Sequence, residues 1–442
     1  MKNTIFAKNA LPLAGLLATL IAGTAPAQTV PAYAGLESRP ADGPVALSSI
    51  WLETRTGDFG AQSLRIDPAV VPGSRHAENA PVRFAWVLQG VSADSLEQSS
   101  GSMRVESRQY WVDATGAELA DGVSLPLTSR GAVIRVSPLE AGSNVAGEIG
   151  IDPASVQLSV NGKRFDSTKS MMQVTDGASL QRLGMSVPVR TIAFKLDNSI
   201  PPGKLDLAVA RLPADQKLVV HVFEPDSDWV AELAVPRDTF VAGETLEFGF
   251  GLGDGRGKTR VDSVQAVLAD PFADKTWALE IDKADGTLTR QAPADRFVSG
   301  QDGLFEAYVY LETVQDGLTI RRDLKLPVSI VPPLARFTGQ TVAKLDDGLT
   351  LEVGVETAVP GRFQLNGQIF GTAADGSLKP LAMAQSAAVI DGRSGRIELQ
   401  VSSNMLKASG LRAPFEVRNL ELLDQGRMFV LQRRQRGLLL ED

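Results

Sequence analysis

This 442-residue chain has no cysteine and two histidines, His76 and His221. Without cysteine there are no disulfides, so stability rests on buried apolar area. Tetrahedral zinc takes three or four ligands, mostly from His and Cys, and two distant histidines do not supply them. No metal and no cofactor is expected. A Ser-His-Asp hydrolase needs one histidine only, so the count leaves that chemistry open; no Gly-x-Ser-x-Gly elbow is present. Basic charge is in short supply: the net charge is −8. An acidic chain repels phosphate backbones, which argues against nucleic acid as a partner. Aromatics make up 6%, among them five tryptophans, and sugar binding often uses exposed aromatics. Beyond the N-terminal segment no run approaches the length of an apolar membrane span, so no integral membrane segment is expected in the mature chain.

The N-terminal segment has a composition of its own. Lys2 and Lys8 precede an apolar stretch, Leu11 to Ala22, and Ala25-Pro26-Ala27 comes after it. This is the basic, apolar and small-residue order of a secretory signal. The apolar stretch is much shorter than the roughly 20 residues a span requires. Residues 1–27 are therefore expected to be a cleaved signal peptide. The mature protein then begins near Gln28 and resides in the periplasm or the medium. Removing two leader lysines from a net −8 leaves −10. Residues 28–45, rich in Pro, Ala and Gly without periodicity, read as a flexible lead-in.

Beyond the lead-in the chain has the period of strands. Leu246, Phe248, Phe250 and Leu252 alternate with polar or small residues; so do Phe305, Ala307, Val309 and Leu311, and Leu324, Leu326, Val328 and Ile330. A period of two places one face on a core and the other in water. Seven Asp-Gly pairs after residue 250, from Asp254-Gly255 to Asp391-Gly392, punctuate these runs. Asp-Gly favours tight hairpin turns. The fold class is mainly β. Proline-marked junctions at Glu224-Pro225 and Val331-Pro332-Pro333 divide the chain. A β-rich N-terminal domain is expected over 46–223, with one or two short helices. An immunoglobulin-like β-sandwich is expected at 224–332, then a C-terminal, jelly-roll-like sandwich at 333–442. The junctions lack Gly/Ser-rich linkers, so a semi-rigid row of modules is expected. The best helix signal lies between Ser167 and Leu183, with Asp176 as a cap and Leu180 and Leu183 facing inward. Trp86, among apolar neighbours, is assigned to the core.

Few groups could carry chemistry. Gly251 to Thr259 superficially resembles a phosphate loop, but Leu252 stands where glycine is required, and the run reads as a turn between strands. Glu280, Asp282 and Asp285 read as a hairpin end. Glu224, Asp226 and Asp228 crowd one junction; calcium takes six to eight oxygens, and such a cluster is either a calcium site or a solvated acidic turn. Arg433, Arg434 and Arg436 read as a solvated strand end. Tyr308 and Tyr310 share one face of a strand, either as cross-strand packing or as a sugar-binding platform. Tyr110 and Trp111 are candidates for partial exposure.

Val220-His221-Val222-Phe223-Glu224-Pro225-Asp226-Ser227-Asp228, Phe240 to Leu246, and Ala408 to Leu420 resemble stretches of an uncharacterised family of exported bacterial proteins, a domain of unknown function. The resemblance implies Gram-negative export and Ig-like modules, and transfers no catalytic residue. The favoured function is non-catalytic: binding, adhesion or scaffolding, with a protein or glycan ligand. The alternatives are a secreted hydrolase and a polysaccharide-binding accessory protein. A perturbed carboxylate in an acid-lined cleft at the N-terminal junction favours the enzyme; an exposed aromatic or apolar face favours the binder.

Overall fold

A computed structural model describes residues 45–71, 73–74, 78–88, 90–96, 101–139, 151–295, 303–346 and 348–442. The expected signal peptide, the expected lead-in up to residue 44 and His76 lie outside the described residues. Strands account for 58% of the structure and helices for 8%, so the architecture is mainly β. Among the described residues, no helix is long and apolar enough to cross a membrane.

Two-residue alternation is realised directly. Phe305, Ala307, Val309 and Leu311 are buried within strand Phe305–Gln315, as are Leu324, Leu326, Val328 and Ile330 within Leu318–Val331. Asp316 and Gly317 join these two strands with φ of 51° and 77°. Positive φ at both turn residues matches the right-handed twist of the flanking strands, which is why Asp-Gly stands there. Lys258 and Thr259 fold back on Gly253 and Leu252 as a short hairpin, so the glycine-rich run is a turn.

Three apolar cores organise the chain. The first lies between a five-stranded sheet and a four-stranded sheet and is built by residues 110–222. The second lies between a six-stranded and a five-stranded sheet and is built by residues 231–330. The third is enclosed by one ten-stranded sheet. Its end strands, Val82–Val87 and Ser394–Ser402, approach each other across an Arg83–Glu398 ion pair of 3.1 Å, so the sheet forms a nearly closed barrel.

The expected N-terminal domain, 46–223, is divided in the structure. Strand Val45–Trp51 pairs with Ala335–Leu345 on one side and Phe429–Glu441 on the other. Strand Val82–Val87 pairs with Leu378–Ile390. Both belong to the barrel. Strand Met103–Ser107 pairs with Val230–Val235 of the second module, and only from Gln109 onward does the chain enter the first core. Period-two patterns state that a segment is a strand, not which distant strand it joins.

Other local expectations are corrected. The segment from Ser167 to Leu183 is not one helix. Ser167–Ser170 and Gly177–Arg182 are helical, and Met171–Asp176 between them pairs with Ile192–Leu196. Asp176 caps the second helix through Ser179 N (2.7 Å), and Leu180 is buried, but Leu183 is 77% exposed because the helix ends before it. Trp86 is 46% exposed and its neighbour Phe84 60%; on this end strand it is Ala85 that packs against the barrel core.

Candidate functional site at a module junction

Two stretches of chain cross between the first module and the second, in opposite directions and side by side. One is Met103–Ser107 followed by Gln109–Thr115; the other is Lys217–Phe223 followed by Val230–Val235. They are antiparallel partners on both sides of the crossing. At the crossing itself Glu224 N donates to Arg108 O (2.9 Å), and Arg108 Nε donates to Ser227 O (3.1 Å).

Glu224 turns inward there and is fully buried. Its Oε1 accepts from Thr128 N (2.6 Å) and Ser129 N (2.9 Å), and its Oε2 from Thr128 Oγ1 (2.9 Å). Oε2 also pairs with a guanidinium nitrogen of Arg322 at 2.9 Å, and both side chains are 0% exposed. The remaining Arg322 donors reach Trp229 O (2.9 Å), Arg321 O (2.6 Å), Thr128 Oγ1 (2.8 Å) and Ser227 Oγ (2.7 Å). Every guanidinium N–H thus has an acceptor, the condition under which a buried charge is tolerable. The residues involved come from both modules, so the pair is a clamp across the junction.

Asp323, the next residue, points to the opposite face of its strand and is 1% exposed. Its Oδ2 accepts from Trp111 N (2.7 Å), and its backbone carbonyl accepts from Ser107 Oγ (2.6 Å). Burial pushes its carboxyl up to about 7, against the lowering effect of the Trp111 hydrogen bond and of Arg321 and Arg322. Beside it, Tyr310 is half-buried, and its phenol is held above its usual range by burial and by Asp323 and Asp113. His221 stacks on Trp111 with ring centroids 5.4 Å apart. Its Nε2 donates to Gln109 Oε1 (2.9 Å), and burial, assisted by Arg135, lowers its pKa to about 4.

A perturbed carboxylate at this junction is the feature expected of an enzyme. Its setting is not that of a catalyst. Asp323 is sealed from solvent and engaged by a backbone amide, and a general acid or base must reach a substrate proton.

Glu224, Asp226 and Asp228 do not converge: Glu224 faces Arg322, while Asp226 and Asp228 are exposed. Among the described residues, no group of three or more His, Cys, Asp or Glu is placed to hold a metal ion. We expect the melting temperature to be the same, within about 1 °C, in calcium and in chelator. A calcium-dependent rise above roughly 3 °C, larger than a surface effect supplies, would restore the metal reading. Glu280–Asp282 is a short strand ending in a turn in which Asp282 caps Ala284 N (2.9 Å).

Arg433, Arg434 and Arg436 are not solvated. Arg433 pairs with Glu421 (2.9 Å) and Asp238 (3.2 Å), Arg436 forms a two-pronged pair with Glu416 (2.6 Å to Oε2), and Arg434 binds the carbonyl of Leu52. They lie on a strand flanked by acids from neighbouring strands, a placement sequence spacing does not reveal. Tyr308 donates to Glu306 Oε2 (2.6 Å) under the ammonium of Lys325 (5.4 Å), so its hydroxyl and one ring face are engaged within the strand pair. Tyr110 is fully buried and donates to Pro126 O (2.9 Å), whereas Trp111 is half-buried. A surface hollow of about 410 Å³ on the second module is lined by Met103, Arg104, Val235, Pro236 and Gly249; its one cation, Arg104, is paired with Glu232.

Fold and junction together define a multidomain β-protein whose first two modules are joined through a buried ionic clamp. Residues 73–224 match the profile of the N-terminal domain, and residues 334–441 that of the C-terminal domain, of a domain of unknown function, DUF4785. The two matches together take in more than half of the sequence, and the chain belongs to the DUF4785 family. The crystal structure of a DUF4785 family protein from Legionella pneumophila is similar over 86% of this chain and 98% of its own, with a TM-score of 0.67 at 16% identity. That likeness concerns the fold alone. Trypsin-activated alpha-2-macroglobulin from Escherichia coli matches over 70% of this chain and 22% of its own, at 15% identity and a TM-score of 0.20. Squid arrestin matches over 47% and 92%, at 6% identity and a TM-score of 0.15. Scores that low carry no argument. No curated protein matches the sequence.

Proposed function

We propose that this chain is an exported, non-catalytic protein that acts as a scaffold or binding protein in the periplasm or outside the cell. The observation that carries this reading is the Glu224–Arg322 clamp with its saturated set of partners. It holds two modules in one fixed arrangement, as a spacer or scaffold requires, and it uses the ionisable groups of the junction for structure. The exposed aromatic pair Phe84 and Trp86, on one face of an end strand, supports a binding role. The leader pattern of residues 1–27 supports export, and the Ig-like reading of the second module rests on its size and its paired sheets.

Expression in a Gram-negative host tests the address: the protein is expected in the periplasmic or medium fraction with a new N-terminus near Gln28. Small-angle scattering of that material is expected to fit one rigid arrangement of the modules. Ester, peptide and glycoside substrates are expected to show no turnover. Turnover abolished by Asp323→Asn would replace this reading with the hydrolase. On a glycan array, retention lost in Phe84→Ser/Trp86→Ser but kept in Tyr308→Ala/Tyr310→Ala would make the partner a polysaccharide.

A further inference from the structure

The sequence profile of the C-terminal domain begins at residue 334, yet the barrel it describes is not complete from that point. Three of its strands come from the other end of the chain. Val45–Trp51 is an interior strand: residues 45–47 pair with 343–345, and residues 48–51 with 438–441. Phe59–Gly60 pairs with residues 432–433, and Val82–Val87 with residues 382–387. Among the described residues these are the only strand pairings that 45–87 makes.

The side chains match the backbone in this. Leu47, Phe59 and Ala61 are buried members of the barrel core, with Trp51, Leu64, Ile66 and Ala85 packed against it. Polar pins fix the rest. Trp51 Nε1 donates to Gly339 O (2.7 Å), Leu52 N to Gly437 O (3.0 Å) and Gln435 Nε2 to Thr56 O (2.6 Å). Asp58, its side chain 2% exposed, accepts from Gln435 N (2.8 Å). Arg362, on the barrel, donates to Ala80 O (2.9 Å).

Removing 45–87 leaves a specific vacancy. Residues 343–345 and 438–441 would each lose the strand they pair with, while Phe337 N still donates to Gln432 Oε1 (2.7 Å) and ties the two flanking strands together farther along. Each segment would present unpaired N–H and C=O groups, and the core would open where Leu47 and Phe59 stood. That is a slot for an extended peptide: main-chain hydrogen bonds provide affinity, and inward pockets at alternate positions provide selectivity.

We propose that the C-terminal barrel is a strand-binding domain whose resident ligand is the chain's own N-terminal arm, residues 45–87. The arm is held by non-covalent pairing and does not depend on its covalent link through residues 88–102. This inference is independent of the address and of the scaffold reading.

The test keeps the full chain. A protease site is inserted between Val91 and Ser92, both exposed, and the folded protein is cut. The arm fragment is expected to co-elute with the remainder in native buffer and to part from it only in denaturant. The isolated remainder, returned to buffer, is expected to bind a labelled synthetic peptide of residues 45–71 and to recover its melting temperature. A peptide with Leu47→Ser and Trp51→Ala is expected to bind at least tenfold more weakly. Should the stripped remainder aggregate, the same pair of substitutions in the cut full chain must lower the denaturant concentration at which the arm is released. An arm that elutes separately in native buffer, or a remainder that melts like the intact protein and ignores the peptide, overturns the proposal.

Discussion

Arg322→Met is expected to lower the unfolding free energy of the joined first and second modules by about 3–5 kcal/mol, because it leaves the Glu224 carboxylate buried without its counter-charge. Thr128 and Ser129 still donate to Glu224, but Trp229 O, Arg321 O and Ser227 Oγ each lose a donor. The same change combined with Glu224→Gln is expected to cost less than the sum of the two singles, since no unpaired charge remains. Arg322→Lys falls between, because three donors on a flexible stem cannot reproduce a five-donor fork. Urea titrations followed by tryptophan fluorescence, with Trp111 in one module and Trp229 beside the clamp in the other, read the parent and the four variants. In the parent the two modules are expected to unfold in one transition; in Arg322→Met the transition splits. A single variant that loses less than about 1 kcal/mol, the range of an ordinary surface ion pair, sinks the idea that the clamp joins the modules.

Stability is expected to depend on pH through Asp323 and His221, with opposite signs in overlapping windows. Asp323 titrates near 7 when folded and near 4 when unfolded. Between these values the native state keeps a proton that the unfolded state has lost, so stability is present at the low end and falls as pH rises to 7. His221 titrates near 4 when folded and near 6.5 when unfolded. Here the unfolded state holds the extra proton, so stability falls as pH drops from 6.5 to 4. Each shift of two to three units corresponds to on the order of 3 kcal/mol, and the two partly cancel in the parent. Asp323→Asn separates them. Asparagine still accepts from Trp111 N without a charge, so the variant is expected to be more stable than the parent at pH 8 and nearly equal to it at pH 4. It then shows the histidine slope alone. Melting curves at half-unit pH steps decide the matter. An Asp323→Asn variant that gains nothing at pH 8 would falsify the raised carboxyl.

The clamp is half legible in the residues that form it. Glu224 stands out as part of an acidic trio, but the trio suggests calcium, and its real partner lies nearly a hundred residues away. The signal for Arg322 is present and weak: it occupies an inward phase, between Ile320 and Leu324, in a strand whose other inward residues are apolar. A charge in that phase means either a strand end or a buried partner, and alternation does not say which. The basic trio near the C-terminus misleads for the same reason. Arg433 and Arg436 look solvated in a linear reading because Glu421 and Glu416 lie on the strand beside them, across a bulged register.

By itself the sequence determined the strands and their turns. Period-two alternation and Asp-Gly corners are local properties, set by side-chain geometry over a few residues. It also determined that the chain is acidic and lacks thiols. Only the tertiary structure decided which strands share a sheet: that Val45–Trp51 is an interior strand of the barrel built by the opposite end of the chain, that one run from Met103 to Thr115 serves two modules, and that Glu224 meets Arg322. Strand pairing depends on where distant backbone edges come to lie, and a buried charge is tolerable only when its partner arrives at the same place. Neither condition is written in any short stretch of residues.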